Sequence, residues 1–221
     1  MPSLYNGRFT LDFDELEHRY LVDGNRIPSV TKILNFDEPE LSEKAFAARA
    51  KQGEIGTKFH KWAESIINNS LFGLPISPKP EGYLESQCCR SFDWFLRYNE
   101  KINWIDSERF VYSPTHNYCG TLDAASDDGS IIWIWDFKTA VRKKTEEERI
   151  LQRLSESAQT WAYQQALIEE SIYPDREIRR RVLWIDKVKG TSAQVIDFEP
   201  EEGREYWEQQ LRLWKEKENS D

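Results

Sequence analysis

The chain has 221 residues, 39 acidic against 30 basic side chains for a formal net charge of −9, and 39% hydrophobic residues. That length suits one α/β domain with a good-sized core. The acidic balance argues against a protein that coats nucleic acid through a broad basic face, and no apolar run is long enough to span a bilayer.

In chain order, a hairpin is expected to turn at Asp23-Gly24, a two-residue signal for a tight β-turn, and to lead into a short helix from Ser29. A long helix follows over about 42–69, with Ile55, Phe59, Trp62, Ala63 and Ile66 as its apolar stripe at helical spacing. A second helix over about 80–100 carries Tyr83, Phe92, Phe95 and Leu96, and strands are expected over 104–112, 118–125 and 131–139. A helix over 146–170, strands over 180–187 and 193–198, and a charged helix from Pro200 anchored by Tyr206, Trp207, Leu211 and Trp214 complete the pattern. The plan is a single α/β domain over 1–221: an N-terminal hairpin and short helix over 1–41, a helical part over 42–100, a core over 101–200 and a C-terminal helix over 201–221. Nothing reads as a linker, a repeat or a leader segment, and a cytoplasmic chain is expected.

Chemistry concentrates in Cys119-Gly120-Thr121-Leu122-Asp123 and Ile134-Trp135-Asp136-Phe137-Lys138-Thr139. With side chains alternating along a strand, Asp136 and Lys138 share a face with Ile132 and Ile134, and Ile131, Trp133, Trp135 and Phe137 take the other. An acid and an amine at the end of an apolar strand are costly unless paired, hydrogen-bonded or metal-bound. Asp123 comes beside Asp136 if Asp127-Asp128-Gly129 closes a hairpin. Two convergent carboxylates and a lysine suit a divalent-cation site that activates water against a phosphodiester; a structural Asp–Lys ion pair is the plain alternative. On the long helix, His60 lies one turn after Gly56 and one before Glu64. A small residue there permits close approach, and Glu64 could orient the imidazole; a packing histidine is the other reading. Gln159 and Tyr163, also one turn apart, project two polar tips from a later helix.

Taken together, Gly56 to His60, Glu108, Gly120 to Asp123, Asp136 to Lys138 and Gln159 to Tyr163 resemble the ordered motifs of the PD-(D/E)XK nuclease superfamily, within it the RecB-like and phage-type exonucleases. The opening, His18 to Thr31 with Gly24 and Pro28-Ser29-Val30-Thr31, is similar to a hairpin at the start of several such enzymes, so the resemblance covers about 17–163. It implies a restriction-endonuclease-like mixed β-sheet core flanked by helices. It also implies a metal-dependent DNA exonuclease, acting from an end with a preference for single strands, in recombination, repair or replication. A structure-specific endonuclease on the same scaffold, or a non-catalytic nucleic-acid-binding protein, is the alternative.

The resemblance further assigns Asp123 and Asp136 as principal ligands of Mg²⁺ or Mn²⁺, with the Phe137 carbonyl and His60 completing the set and Glu108 serving a second ion or its water shell. A histidine ligand suits Mn²⁺ better than an all-oxygen site would. Lys138 should orient the attacking water, and Gln159 and Tyr163 should contact the scissile phosphate or its neighbour. Arg142, Lys143 and Lys144, directly after the catalytic-looking strand, are candidates for the local positive charge that holds DNA, with Lys58 and Lys61 beside His60; a solvated charged surface is the other reading. The implied partner is DNA, single-stranded or bearing an end, with room for a single-strand-annealing or recombination protein, in a bacterial or phage-infected cell; no membrane partner is expected. Cys88, Cys89 and Cys119 fit reduced, buried thiols better than a disulfide framework. Some RecB-like nucleases carry a four-cysteine iron–sulfur cluster, but this chain lacks the fourth thiolate and the spacing, so none is expected.

Overall fold

Turn chemistry and the alternation of side chains decide where this chain forms strands. The computed structural model describes residues 3–14, 19–37, 43–98, 102–140, 145–186 and 193–220. Four short strands, β1 (Ser3–Leu4), β2 (Phe9–Asp14), β3 (Arg19–Val22) and β4 (Asn25–Ile27), form an antiparallel sheet in sequence order. The hairpin expected at Asp23-Gly24 is the β3–β4 turn, with both residues at positive φ (49° and 79°) and Val22 paired to Asn25. Asp23 also accepts from the Thr10 backbone N–H at 2.9 Å, tying the turn to β2. The preceding β1–β2 pair was not expected; Tyr5, Asn6 and Gly7 make its turn, all at positive φ. Leu11, Tyr20, Val22 and Ile27 form the sheet's inner face and pack on Tyr112 and Cys119. Ser29 caps α1 (Val30–Leu34) by accepting from the Lys32 N–H.

Two helices follow, α2 (Glu43–Phe72) and α3 (Tyr83–Tyr98). In α2 the buried position is Ile67 rather than Ile66, which is only partly buried, so the stripe runs Ile55, Phe59, Trp62, Ala63, Ile67. The main sheet has the order β5 (Trp104–Ser113), β6 (Tyr118–Asp127), β7 (Ile131–Ala140), β8 (Glu177–Asp186) and β9 (Ala193–Asp197). Only the β7–β8 pair is parallel, and the 25-residue α4 (Glu146–Glu170) makes that crossover. A reciprocal cap between Thr145 and Glu148 starts α4, and Ser171 in a left-handed conformation ends it. The β6–β7 turn is held by the Asp128 carboxylate, which accepts from the Ser130 and Ile131 N–H groups and the Trp133 indole N–H. The last helix, α5 (Arg204–Glu218), starts later than Pro200 because Glu199 to Gly203 form a turn first.

β7 alternates as its sequence predicts. Ile132 and Ile134 enter a core with α1, α4 and α5; Trp133, Trp135 and Phe137 enter the opposite one with α2 and α3. The protein is thus a mixed five-stranded sheet with helices on both faces and a small antiparallel sheet against the β5–β6 end. Arg180 joins the pieces on one side. Its buried guanidinium donates to the carbonyls of Ser157, Glu199, Pro200 and Glu202 at 2.6–3.0 Å, and Gly203 passes so close to α4 that a Cβ would overlap the Ser157–Ala158 peptide. Among the described residues, no helix is long and apolar enough to cross a membrane.

Candidate metal centre

The main sheet forks at its motif residues. β6 and β7 pair from Asp127↔Ile132 to Ala124↔Trp135; beyond that, β6 stays with β5 and β7 stays with β8. Asp123 is the first β6 residue inside the fork, and its Oδ2 accepts the Phe137 N–H that has lost its strand partner. A strand residue directs its N–H and C=O to the same edge, so the Phe137 carbonyl also faces the fork.

From the α2 side, His60 Nδ1 lies 3.1 Å from Asp123 Oδ1, with 32% of the histidine side chain exposed. Gly56, one turn earlier, lets α2 settle on β7: a Cβ there would stand 3.2 Å from Thr139 Oγ1. Glu108 sits mid-strand in β5, opposite Asp123, where the β5–β6 ladder is interrupted between Ser107↔Ala124 and Arg109↔Leu122. Its φ of +47° is costly for a non-glycine residue, and such strain gathers at functional sites. Ligand atoms of His60, Glu108 and Asp123 all lie within 4.8 Å of one another. Glu64, expected to orient the imidazole, instead accepts from Asn68 at 3.3 Å; Asp123 itself holds the ring.

From the α4 side, Gln159 organises a second group. Its Oε1 accepts from Lys138 Nζ at 2.8 Å, and its Nε2 donates to Asp136 Oδ1 at 2.8 Å and Tyr163 Oη at 2.9 Å. The amide must sit this way round, because the ammonium can only donate. Lys138 Nζ is also 2.8 Å from Asp136 Oδ2, in charge contact but out of hydrogen-bond alignment, so that buried oxygen has no aligned donor. Gly120 earns its place in the G-x-x-D motif here: a Cβ would overlap the edge of the Tyr163 ring. Gln159 and Tyr163, expected on the substrate, are buried and face Asp136 and Lys138.

Electrostatics divides the groups. Burial and the Asp123 charge push Glu108 up to about 8, with His60 opposing. Burial would lower His60, but Asp123, Glu108 and Asp136 outweigh it and raise the imidazole to about 9. For Asp123, burial is outweighed by His60, the Phe137 N–H and Lys138, and its carboxyl is lowered. Burial raises Asp136 despite Lys138. Lys138 is itself raised, because Asp136 overcomes burial, and stays an ammonium. Four acids and an imidazole crowd together with one lysine if Glu64 is counted, a charge balance that a cation would relieve.

The donor set fits a hard divalent cation. His60, Glu108 and Asp123 supply an imidazole nitrogen and carboxylate oxygens; Asp136, expected beside Asp123 as a principal ligand, is outside that group of three, its Oδ2 lying 2.8 Å from Lys138 Nζ. Neither a protein-family model nor a curated protein sequence matches the chain.

The remaining expected residues distribute as follows. Arg142, Lys143 and Lys144 lie outside the described residues. Lys58 pairs with Glu85 at 3.5 Å, and Lys61 lines the cleft beside His60. Cys88 and Cys89 pack in the α2–α3 core and Cys119 under the N-terminal sheet, all three as free thiols. One residue escaped sequence reasoning: Glu156, buried one turn before Gln159, accepts from Gln152 and the Trp184 indole and adds negative charge near Lys138. Its signal was a carboxylate on the flank of the small-residue stripe Ala158, Ala162, Ala166.

Proposed function

We propose that the protein is a metal-dependent deoxyribonuclease with a restriction-endonuclease-like core, cleaving phosphodiester bonds from a DNA end. The observation that carries this reading is the fork between β6 and β7, where Asp123 meets His60 and Glu108 and the β7 residues Asp136 and Lys138 follow in D-x-K spacing. The ordered motifs of the PD-(D/E)XK superfamily supply the rest of the argument, because each of their side chains has a geometric use here.

His60, Glu108 and Asp123 would hold Mg²⁺ or Mn²⁺, joined, as the family resemblance implies, by Asp136 and the Phe137 carbonyl. Bound there, the cation supplies Lewis-acid charge to a phosphate oxygen and acidifies a water. His60 and Glu108 must both give up protons to act as ligands. Lys138, fixed by Gln159 and kept protonated by Asp136, orients the attacking water and offsets charge growing on the phosphate. Tyr163 and Gln159 are positioning residues that set the Lys138–Asp136 geometry. The acidic exterior favours a narrow, end-admitting passage over a broad duplex grip.

End-labelled single-stranded DNA, duplex DNA and a closed single-stranded circle, each incubated with and without Mg²⁺ or Mn²⁺, test the proposal. Linear strands should be degraded only with metal, and the circle should survive. Rapid cutting of the circle would replace the exonuclease reading by the endonuclease one. Binding without cleavage in either metal would reject hydrolysis.

A further inference from the structure

A cleft of about 660 Å³ lies beside the candidate metal centre, between α2 and the strands of both sheets. Its helix wall is polar and carries His60, Lys61 and Glu64; its strand wall carries Glu108 and Thr121 together with two phenylalanines, Phe13 of β2 and Phe110 of β5. The chemistry proposed above uses neither ring. Both are only partly buried, whereas the neighbouring aromatics Tyr20 of β3 and Tyr112 of β5 are covered.

The rings are held as a unit. Phe13 rests on Tyr20 (4.7 Å between centroids, 42° between planes) and leans on Phe110 (5.8 Å, 49°), while Tyr20 meets Phe110 edge-on at 6.2 Å. The Tyr20 hydroxyl is hydrogen-bonded to Thr121 Oγ1 at 2.8 Å, which pins the base of the stack to β6 two residues before Asp123. Glu108 and Phe110 are two residues apart on one strand, roughly 7 Å, about the reach from a phosphate to the base plane of a neighbouring nucleotide. An apolar platform at that distance from a carboxylate-rich centre has an evident complement: a flat, uncharged ring attached to a phosphate.

We infer that Phe13 and Phe110 form a stacking subsite for one unpaired nucleobase next to the scissile phosphate; the inference rests on the nuclease reading. Phenyl rings offer no hydrogen-bonding edge, so the subsite accepts any base. Within a duplex each base face is already covered by its neighbours. The platform therefore selects single strands or frayed ends, and it gives the preferred substrate a structural cause.

The test compares two labelled oligonucleotides of equal length, oligothymidylate and a chain of abasic tetrahydrofuran residues with the same phosphates, by fluorescence anisotropy in Ca²⁺. The protein should bind oligothymidylate about tenfold more tightly, as one stacked base is worth. Phe110→Leu and Phe13→Leu should each erase most of that preference while leaving abasic binding and Mn²⁺ binding in place. Phe110→Tyr, which keeps the ring, should retain it; thermal melts establish that each variant is folded. Equal binding of both probes by the unaltered protein, or a preference that persists in both leucine variants, overturns the subsite. If DNA is cleaved while the probes bind equally, only the subsite falls. If neither probe binds and nothing is cleaved, the nuclease reading falls with it.

Discussion

The two sides of the fork satisfy their polar groups in opposite ways. On the α4 side, a single amide serves Lys138, Asp136 and Tyr163 at 2.8–2.9 Å, and this network is complete apart from Asp136 Oδ2. On the α2 side, three potential ligands crowd within 4.8 Å of one another, and burial and the Asp123 charge push Glu108 up to about 8. A satisfied network keeps its shape whether or not a ligand is present. A crowded set of acids is stable only when something positive joins it, a proton or a metal ion. The first side is built to position, the second to bind.

The comparison breaks most severely at Asp123. Asp123→Asn removes the charge opposing His60, and Mn²⁺ affinity measured by calorimetry should fall by more than about 100-fold, beyond the loss typical of a supporting hydrogen bond. Retention of near-normal affinity would detach Asp123 from the metal. On the other side, Lys138→Ala should leave Mn²⁺ binding little changed and lower turnover by roughly 10²–10³-fold, the scale of one lost transition-state donor. Parallel loss of both would merge the two sides into one.

Acidity sharpens the contrast further. At pH 7 both His60 (about 9) and Glu108 (about 8) hold protons that a metal must displace. Mn²⁺ affinity should therefore rise with pH up to about 9, by up to two decades per unit where both protons leave. Calorimetry in buffers of different ionisation enthalpy should count the released protons, and His60→Ala should reduce the count by one. A pH-independent affinity would mean that neither group is a ligand. The smallest effect is on packing. Gly120→Ala drives a methyl into Tyr163 and should cost about 1–3 kcal/mol in denaturant unfolding. The same change in a Tyr163→Ala background should cost much less; an equal cost in both would show that the ring is not what the glycine accommodates.

The sequence was readable where local chemistry decides structure. Asp23-Gly24 dictates a tight turn, and the alternation of Ile132, Ile134 and Asp136 against Trp133, Trp135 and Phe137 assigns two faces. The β1–β2 pair was not expected, because β1 has only two residues, too few to show an alternation, although β2 itself alternates, with Phe9, Leu11 and Phe13 against Thr10, Asp12 and Asp14. Asp123, Asp136 and Lys138 could be nominated from spacing, but their division of labour could not. That depends on where β6 leaves β7, a tertiary event with no signature in either strand. Glu108 could be nominated too, yet its left-handed backbone contradicts the regular strand around it. Gly120 shows the same limit: its motif position is visible, and its reason, the ring of Tyr163 from another element, is not.

Arg180 and Gly203 extend the site's tolerances well beyond the cleft. Four carbonyls grip one guanidinium, and one of them belongs to Ser157, two positions before Gln159. Gly203 abuts the same peptide unit from the segment that enters α5. The pair acts as an end-stop, preventing α4 from sliding along its own axis past β7. A bulkier residue at 203 would displace the helix by part of a turn's rise, and the amide that serves both Lys138 and Asp136 would then reach only one of them. The alignment of Gln159 in this molecule is therefore inherited from a loop some forty positions downstream of it.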